Sequence, residues 1–315
     1  MRFLSKRHLL GPPYSTATSM KKRMIPFIGW TLALLLLPVT AAAQSEEFTV
    51  ATYNVRNLFD TLNEPGIHDM VLSPDEYQAK IEALATVIGA LRPDVLALCE
   101  VENATVLRDL LAASPLDTVP LRYVHYDSPD PRGIDVALLY RTDRLRAVAS
   151  EPIAAPERYS TRDILRVELQ SLRSHRQAVV YAVHLPSKRG GTSRAARMRE
   201  LLATQLAALI RQEPPEKRVV LMGDMNDTPG SRLFRRYWSE LTCLTQAPHR
   251  RGLGSYAWRD AWLMYDNILF RPPLENASEA RIFLRKGMLT EEGRFQGYPR
   301  REVSDHLPVY VRLCF

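Results

Sequence analysis

The sequence predicts an α/β fold built on mixed sheets, and three observations predict it. Short apolar runs rich in β-branched residues are separated by longer stretches with a helical apolar period. Other apolar runs follow one another too closely for a helix between them, which adds antiparallel hairpins. The order strand, helix, buried strand, hairpin occurs twice, which points to two packed sheets. No short-period repeat or low-complexity linker interrupts the pattern, so one mature domain is expected.

The first 44 residues stand apart from that pattern. Lys21-Lys22-Arg23 forms a charged start, Ile25 to Val39 an apolar core, and Ala41-Ala42-Ala43 an A-x-A cleavage site. The apolar core is short for a membrane span and ends in small residues, which favours a signal peptide over an anchor. Residues 1–44 are therefore expected to be an N-terminal extension and signal peptide, with translation able to begin at Met20, and residues 45–315 the folded domain. Export to the periplasm or the medium follows. The segment also explains the charge. It carries six of the 42 Lys and Arg and none of the 35 Asp and Glu, so the remaining chain holds 36 against 35 and a net charge of +1. The overall +7 is a targeting feature and excludes a reading based on bulk basicity.

In order along the chain, Glu47 to Tyr53 alternates as a strand and ends in Asn54-Val55-Arg56-Asn57. Ser73-Pro74-Asp75-Glu76 is a capped helix start, and Tyr77, Ile81, Leu84, Ile88 and Leu91 form its buried face. Val95 to Cys99 is a continuously apolar strand ending at Glu100, and a helix near Thr105 to Ala113 follows it. After Arg122 to Tyr126 and a polar loop from Asp127 to Gly133, Val136 to Tyr140 is a buried strand, with Leu145 onward as its hairpin partner. Ile164 to Leu169 and Ala178 to Val183 form another pair, ending at His184. The longest helix runs from Gly190-Gly191-Thr192 to about Gln212, where Pro214-Pro215 closes it. Val219 to Met222 is a buried strand that breaks into Gly223-Asp224-Met225-Asn226, and a short helix spans Ser231 to Leu241. Strands Ile268 to Phe270 and Val309 to Leu313 are each preceded by polar residues, Asp266 in the first case and Ser304-Asp305-His306 in the second.

The chemistry collects at these strand ends: Asn54, Glu100, His184, Asp224, Asn226, Asp266, Asp305 and His306. Carboxylate and amide oxygens without a thiol cluster suit a hard divalent ion, Mg²⁺ or Mn²⁺, with Ca²⁺ as a further candidate. Two histidines with acidic neighbours suit proton transfer at a phosphoryl group. Taken singly, Asn54, Asp224 and Asn226 would read as turn residues. Lys188-Arg189-Gly190-Gly191, before a helix, reads either as a phosphate cradle or as a solvated turn. Trp258 and Trp262 read as hairpin core, against base stacking or lipid contact. Cys99 reads as a core residue, while export leaves a Cys243–Cys314 disulfide open.

The motifs Thr52-Tyr53-Asn54-Val55-Arg56, Leu98-Cys99-Glu100-Val101, Val183-His184-Leu185-Pro186, Gly223-Asp224-Met225-Asn226, Tyr265-Asp266-Asn267-Ile268 and Ser304-Asp305-His306-Leu307-Pro308 resemble, in order, those of the endonuclease/exonuclease/phosphatase superfamily, in its deoxyribonuclease I-like branch. The resemblance covers residues 47 to 313. It implies a four-layer α/β sandwich, with two mixed β-sheets packed face to face and flanked by helices. It also implies Glu100 as main metal ligand with Asn54 and Asp305 beside it. Asp224 and Asn226 would handle the attacking water and the phosphate, and His306, oriented by Asp266, would act with His184 on the phosphate. Arg56 and Arg162 would contact substrate phosphates, as would Lys188 and Arg189. Asp135 is expected near His184, to fix its tautomer and raise its pKa. The activity implied is metal-dependent phosphodiester hydrolysis by a monomer with no stable protein partner, nucleic acid being the expected substrate. The rivals are a phosphomonoesterase or lipid phosphodiesterase, with an inositol phosphate or lipid substrate, and a catalytically silent binding module.

Overall fold

Two strand–helix–strand crossovers set the architecture. The computed structural model describes residues 46–156, 160–188, 193–259, 261–272, 278–290, 297 and 299–314. The expected signal segment, Arg189 and the Gly190-Gly191-Thr192 turn lie outside the described residues. Strand β1 (Glu47–Leu58) runs parallel to β2 (Val95–Val101), and helix α1 (Pro74–Leu91) connects them. As its sequence predicts, α1 starts in a capping box between Ser73 and Glu76. Next come α2 (Ala104–Ala112), which Asn103 caps by accepting from the Thr105 and Val106 N–H groups, β3 (Leu121–His125) and β4 (Asp135–Arg141). The second half contains β5 (Leu145–Ile153), β6 (Ile164–Ser171) and β7 (Gln177–His184). Helix α3 (Ser193–Gln212) then leads to β8 (Arg218–Asp224), parallel to β7. After α4 (Arg232–Tyr237), β9 (Thr242–Cys243) and α5 (Gln246–Arg250) comes a hairpin of β10 (Tyr256–Trp258) and β11 (Ala261–Leu263). The chain closes with β12 (Asp266–Arg271), β13 (Arg281–Ile282) and β14 (Val309–Cys314).

One sheet has the order β13-β14-β1-β2-β4-β3 and the other β5-β6-β7-β8-β12-β9. The central strands are apolar on both faces because each face is covered. Phe48, Val50, Val95 and Leu138 meet Val167, Val180, Val220 and Phe270 between the sheets. The alternate residues Tyr53, Leu96 and Leu98 face Ile81, Leu84 and Ile88 of α1 and Val106 and Leu110 of α2. Val179, Tyr181 and Leu221 likewise face Leu202, Leu206 and Ile210 of α3 and Phe234 and Trp238. Helix, sheet, sheet, helix is the four-layer α/β sandwich.

One expectation about elements is corrected. Leu145 onward is not the hairpin partner of β4: β5 pairs with β6 in the other sheet, and β3 takes the place beside β4. The link between them is held by charge. Arg141 binds Asp143, while Arg144 reaches Asp94 at 2.7 Å and Glu46 at 3.2 Å and lies over the Phe48 ring. The three cysteines are free thiols, and Cys243 and Cys314 belong to different sheets.

Candidate active site

The eight strand-end residues of the predicted site reach one edge of the sandwich because of strand direction. The central strands β1, β2, β7 and β8 end there, at or beside Asn54, Glu100, His184 and Asp224. Antiparallel β12 starts there opposite Asp224, at Asp266, and Asp305 and His306 precede the start of β14 beside β1. The carboxyl ends of parallel strands are where open α/β sheets bind ligands. Backbone strain marks the same edge: Arg56, Asn57, Glu100 and Asn226 all have positive φ, an uncommon state for residues with a Cβ.

At the centre, the Asn54 amide nitrogen donates to Glu100 Oε1 at 3.1 Å and to Asp224 Oδ2 at 3.0 Å. The Asn57 N–H donates to Glu100 Oε2 at 2.9 Å. The bend carrying Arg56 and Asn57 is held by Lys80, a buried α1 lysine whose Nζ donates to the Arg56 carbonyl at 2.6 Å. Burial first, and then the Arg56 charge, lower its pKa to about 8. Asp224 Oδ1 accepts from the Asn226 N–H at 2.9 Å, and the Asn226 amide donates to the Leu185 carbonyl at 2.9 Å. Ser304 joins the last segment to β1, donating to the Asn54 carbonyl at 2.6 Å and accepting from the His306 N–H at 3.0 Å.

The two histidines are held in opposite states. His306 Nδ1 lies 2.6 Å from Asp266 Oδ2, and its Nε2 lies 3.9 Å from Asp224 Oδ2. Burial opposes its charge, but Asp266, by charge and hydrogen bond, and Asp224 raise its pKa to about 10. His184 Nε2 lies 3.5 Å from Asp224 Oδ2 and 3.8 Å from Glu100 Oε1, yet burial and the Arg162, Arg132 and His306 charges push its pKa well below the usual imidazole value. Asp224 is pushed up, by burial first and by Asp266, with His306 opposing. The expected Asp135–His184 pair is absent. Asp135 accepts from Ser128 and lies 2.9 Å from His125 Nε2, while His184 Nδ1 has no hydrogen-bond partner among the described residues. The expected rise in the His184 pKa is therefore reversed.

A cavity of about 600 Å³ opens on this cluster, lined by Glu100, His184, Asp224, Asn226, Asp305 and His306 and by Arg56, Arg132, Arg162, Lys188 and Arg301. Arg162 does not have the free guanidinium expected of a phosphate contact. Its Nη1 pairs with Asp130 at 2.7 Å, and its Nη2 donates to the His184 and Leu185 carbonyls at 3.0 and 3.1 Å. Lys188 pairs with Asp227 at 2.6 Å, and Arg56 donates to the Arg301 carbonyl. Arg132, Tyr256 and Arg301 are cavity residues that sequence reasoning missed, and Tyr265, part of a quoted motif, joins them without having been assigned a role. Tyr256 lies 4.8 Å from the His306 ring and stacks on Tyr265 at 5.5 Å. Trp258 is not core: it is 51% exposed and lines the cavity.

The donor chemistry fits a hard cation at Glu100 and Asp305, two carboxylates on the wall of a cavity that no cysteine lines. Asn54 does not fit as a ligand. Its nitrogen faces both carboxylates and its oxygen accepts from the Arg56 N–H at 2.9 Å, so it orients Glu100 and Asp224 instead. Among the described residues the one group of three such side chains with ligand atoms within 4.8 Å of one another is His125, Asp127 and Asp135, outside that wall.

A family model described as the endonuclease/exonuclease/phosphatase family matches residues 49–314. No curated protein matches the chain. Among solved structures, D. rerio TDP2 complexed with single strand DNA product is 16% identical over 85% of this chain and 98% of its own, with a TM-score of 0.59. A family protein from Bacteroides thetaiotaomicron is 15% identical over 86% and 99%, with a TM-score of 0.59. The human Nocturnin catalytic domain with bound sulfate anion is 18% identical over 84% and 93%, with a TM-score of 0.55. At these identities the likeness is one of fold.

Proposed function

The chain belongs to the endonuclease/exonuclease/phosphatase family, whose members are metal-dependent hydrolases of phosphoester bonds, and on that premise we propose that it is an exported phosphodiesterase that cleaves nucleic acid internally. The observation that carries the reading is the arrangement at the cavity floor. A buried Asp266–His306 pair at 2.6 Å points Nε2 towards Asp224, with Glu100 and Asp305 on the wall.

Glu100 and Asp305 would hold Mg²⁺ or Mn²⁺, which when bound polarises a phosphoryl oxygen and acidifies water. The chain's own groups do the rest. His306, kept cationic by Asp266, donates a hydrogen bond and then a proton to the phosphoryl or leaving oxygen. Asp224, desolvated and fixed by Asn54 and Asn226, accepts a proton from the attacking water. His184 stays neutral and steers the two carboxylates through Nε2. A sugar alkoxide needs that proton, whereas an activated leaving group does not, which favours a diester substrate. The single-strand DNA bound by the TDP2 neighbour supports a nucleic-acid substrate.

The test is a substrate panel on the purified chain with Mg²⁺ or Mn²⁺. Cleavage of plasmid DNA or long RNA, abolished by chelator and cut by about a hundredfold or more in Glu100→Gln, is expected. Intact nucleic acid beside hydrolysis of a lipid or inositol phosphate would transfer the assignment to that substrate class.

A further inference from the structure

The cavity cations differ in how much of their hydrogen-bonding capacity is already used and in what they stand beside. Arg162 is 6% exposed, and both its terminal nitrogens are bound to Asp130 and to main-chain carbonyls. Lys188 is paired with Asp227, Arg56 donates to the Arg301 carbonyl, and Arg301, although 65% exposed, stands 3.9 Å from Asp305, a residue of the proposed metal site. Arg132 differs. Its only hydrogen bond from the side chain to a described residue is a long one from Nε to Asp130 Oδ1 at 3.4 Å. Its side chain is 44% exposed and lines the cavity, so Nη1 and Nη2 are available to a ligand.

The backbone beneath Arg132 is held from three sides. Asp130 Oδ1 accepts from the Arg132 N–H at 3.0 Å, and the Gly133 N–H closes the turn on the Asp130 carbonyl at 2.9 Å. Gly133 has a φ of +65°, and a Cβ there would lie 2.8 Å from the Ile67 side chain. The His68 N–H binds the Pro131 carbonyl at 2.8 Å. The Asp130–Arg162 ion pair, at 2.7 Å and buried on both sides, ties this turn to the carbonyl of His184. A fork-shaped cation on a turn anchored to a catalytic strand is a preorganised phosphate contact.

We propose that Arg132 is the phosphate-binding arginine of this site, gripping a substrate phosphate next to the scissile one, and that Asp130 and Arg162 are positioning residues that present it. The assignment rests on the phosphodiesterase reading and names the group that makes the site prefer a polyanion over an isolated phosphoester. It moves the phosphate role from Arg162, whose guanidinium is consumed, to a residue two positions beyond the aspartate that consumes it.

The experiment compares Arg132→Gln and Arg132→Lys with the unaltered chain on a labelled oligonucleotide and on bis(p-nitrophenyl) phosphate, which has a single phosphate. Arg132→Gln should lower kcat/KM for the oligonucleotide at least about tenfold more than for the aryl diester, chiefly through KM, and reduce the salt slope of binding by about one unit. Arg132→Lys, which keeps the charge and loses the fork, should fall between. Asp130→Asn should lower oligonucleotide affinity in the unaltered background and change it little in Arg132→Gln, since it acts through that arginine. Equal losses on both substrates, or an unchanged salt slope, would overturn the assignment. A chain that leaves oligonucleotides intact would sink the nuclease reading alone. Arg132 is then read from pyrophosphate binding by calorimetry, where equal affinity in Arg132→Gln overturns it and weaker affinity upholds it.

Discussion

At the scale of single residues, the site rests on holding one histidine charged and the other neutral within reach of one carboxylate. The charged one depends on Asp266. With Asp266→Asn, the cation loses its partner at 2.6 Å while burial still opposes it, so the His306 pKa should fall from about 10 towards or below the ordinary imidazole range. Ring shifts of His306 in an NMR titration measure this directly, and a ring that stays protonated above pH 8 in the variant would refute it. The sign for stability follows from the same shift. A histidine raised from 6.5 to about 10 contributes stability that is full below 6.5 and is lost as pH rises through 10. The stability gap between the unaltered chain and Asp266→Asn should therefore narrow across that window in urea titrations. These residues were legible because each stands in a short polar motif at the end of an apolar run. Lys80 was not, because one lysine on an amphipathic helix reads as solvated, and only the fold brings it to the Arg56 carbonyl. Nor was Arg132, since a loop arginine carries no signal until its neighbours are known. Asp135 misled for a related reason: it opens the right strand but meets His125 across the strand pair, not His184.

At the scale of elements, the decisive pair is β7 and β8, which deliver His184 and Asp224 in direct register. Gly223, one residue earlier, permits the approach. Its φ is +141°, and a Cβ there would sit 1.8 Å from the Val183 carbonyl oxygen. That oxygen belongs to a buried backbone and cannot move aside. Gly223→Ala should therefore cost roughly 3 kcal/mol or more, the scale of severe core substitutions, or prevent folding. Urea unfolding, or soluble yield if the variant does not fold, gives the measurement, and a loss under about 1 kcal/mol would mean that β7 and β8 can part more easily than drawn. Most elements were legible from periodicity and caps. The failure came at Arg141 to Arg144, where alternation shows that two strands follow closely but not that the chain changes sheets between them. The charge clamps on Asp94 and Glu46 that hold the change are long-range contacts, invisible to a local pattern.

At the scale of the whole molecule, the domain closes on itself a few residues beyond the expected cleavage site. Glu47 pairs with Cys314, so the first and last strands complete one sheet together. Just before it, Glu46 accepts from Arg144 at 3.2 Å and from the Ser171 hydroxyl at 2.6 Å, which fixes the entry of the chain. Among the described residues, the core clusters between and outside the sheets begin at Phe48. The repeated order of strands and helices made the two sheets readable from sequence, whereas the four-layer arrangement with flanking helices came from the family resemblance. A chain beginning at Ser45 should therefore show the same urea midpoint and the same hydrolytic rate as the full-length chain. The protein recovered after export from cells should begin at or near Gln44 by mass spectrometry, since cleavage after Ala43 leaves the Glu46 anchor intact. A shortened chain that unfolds at lower urea would place part of the folding domain before residue 45, and an exported chain that keeps Met1 or Met20 would replace the cleaved signal with an anchor.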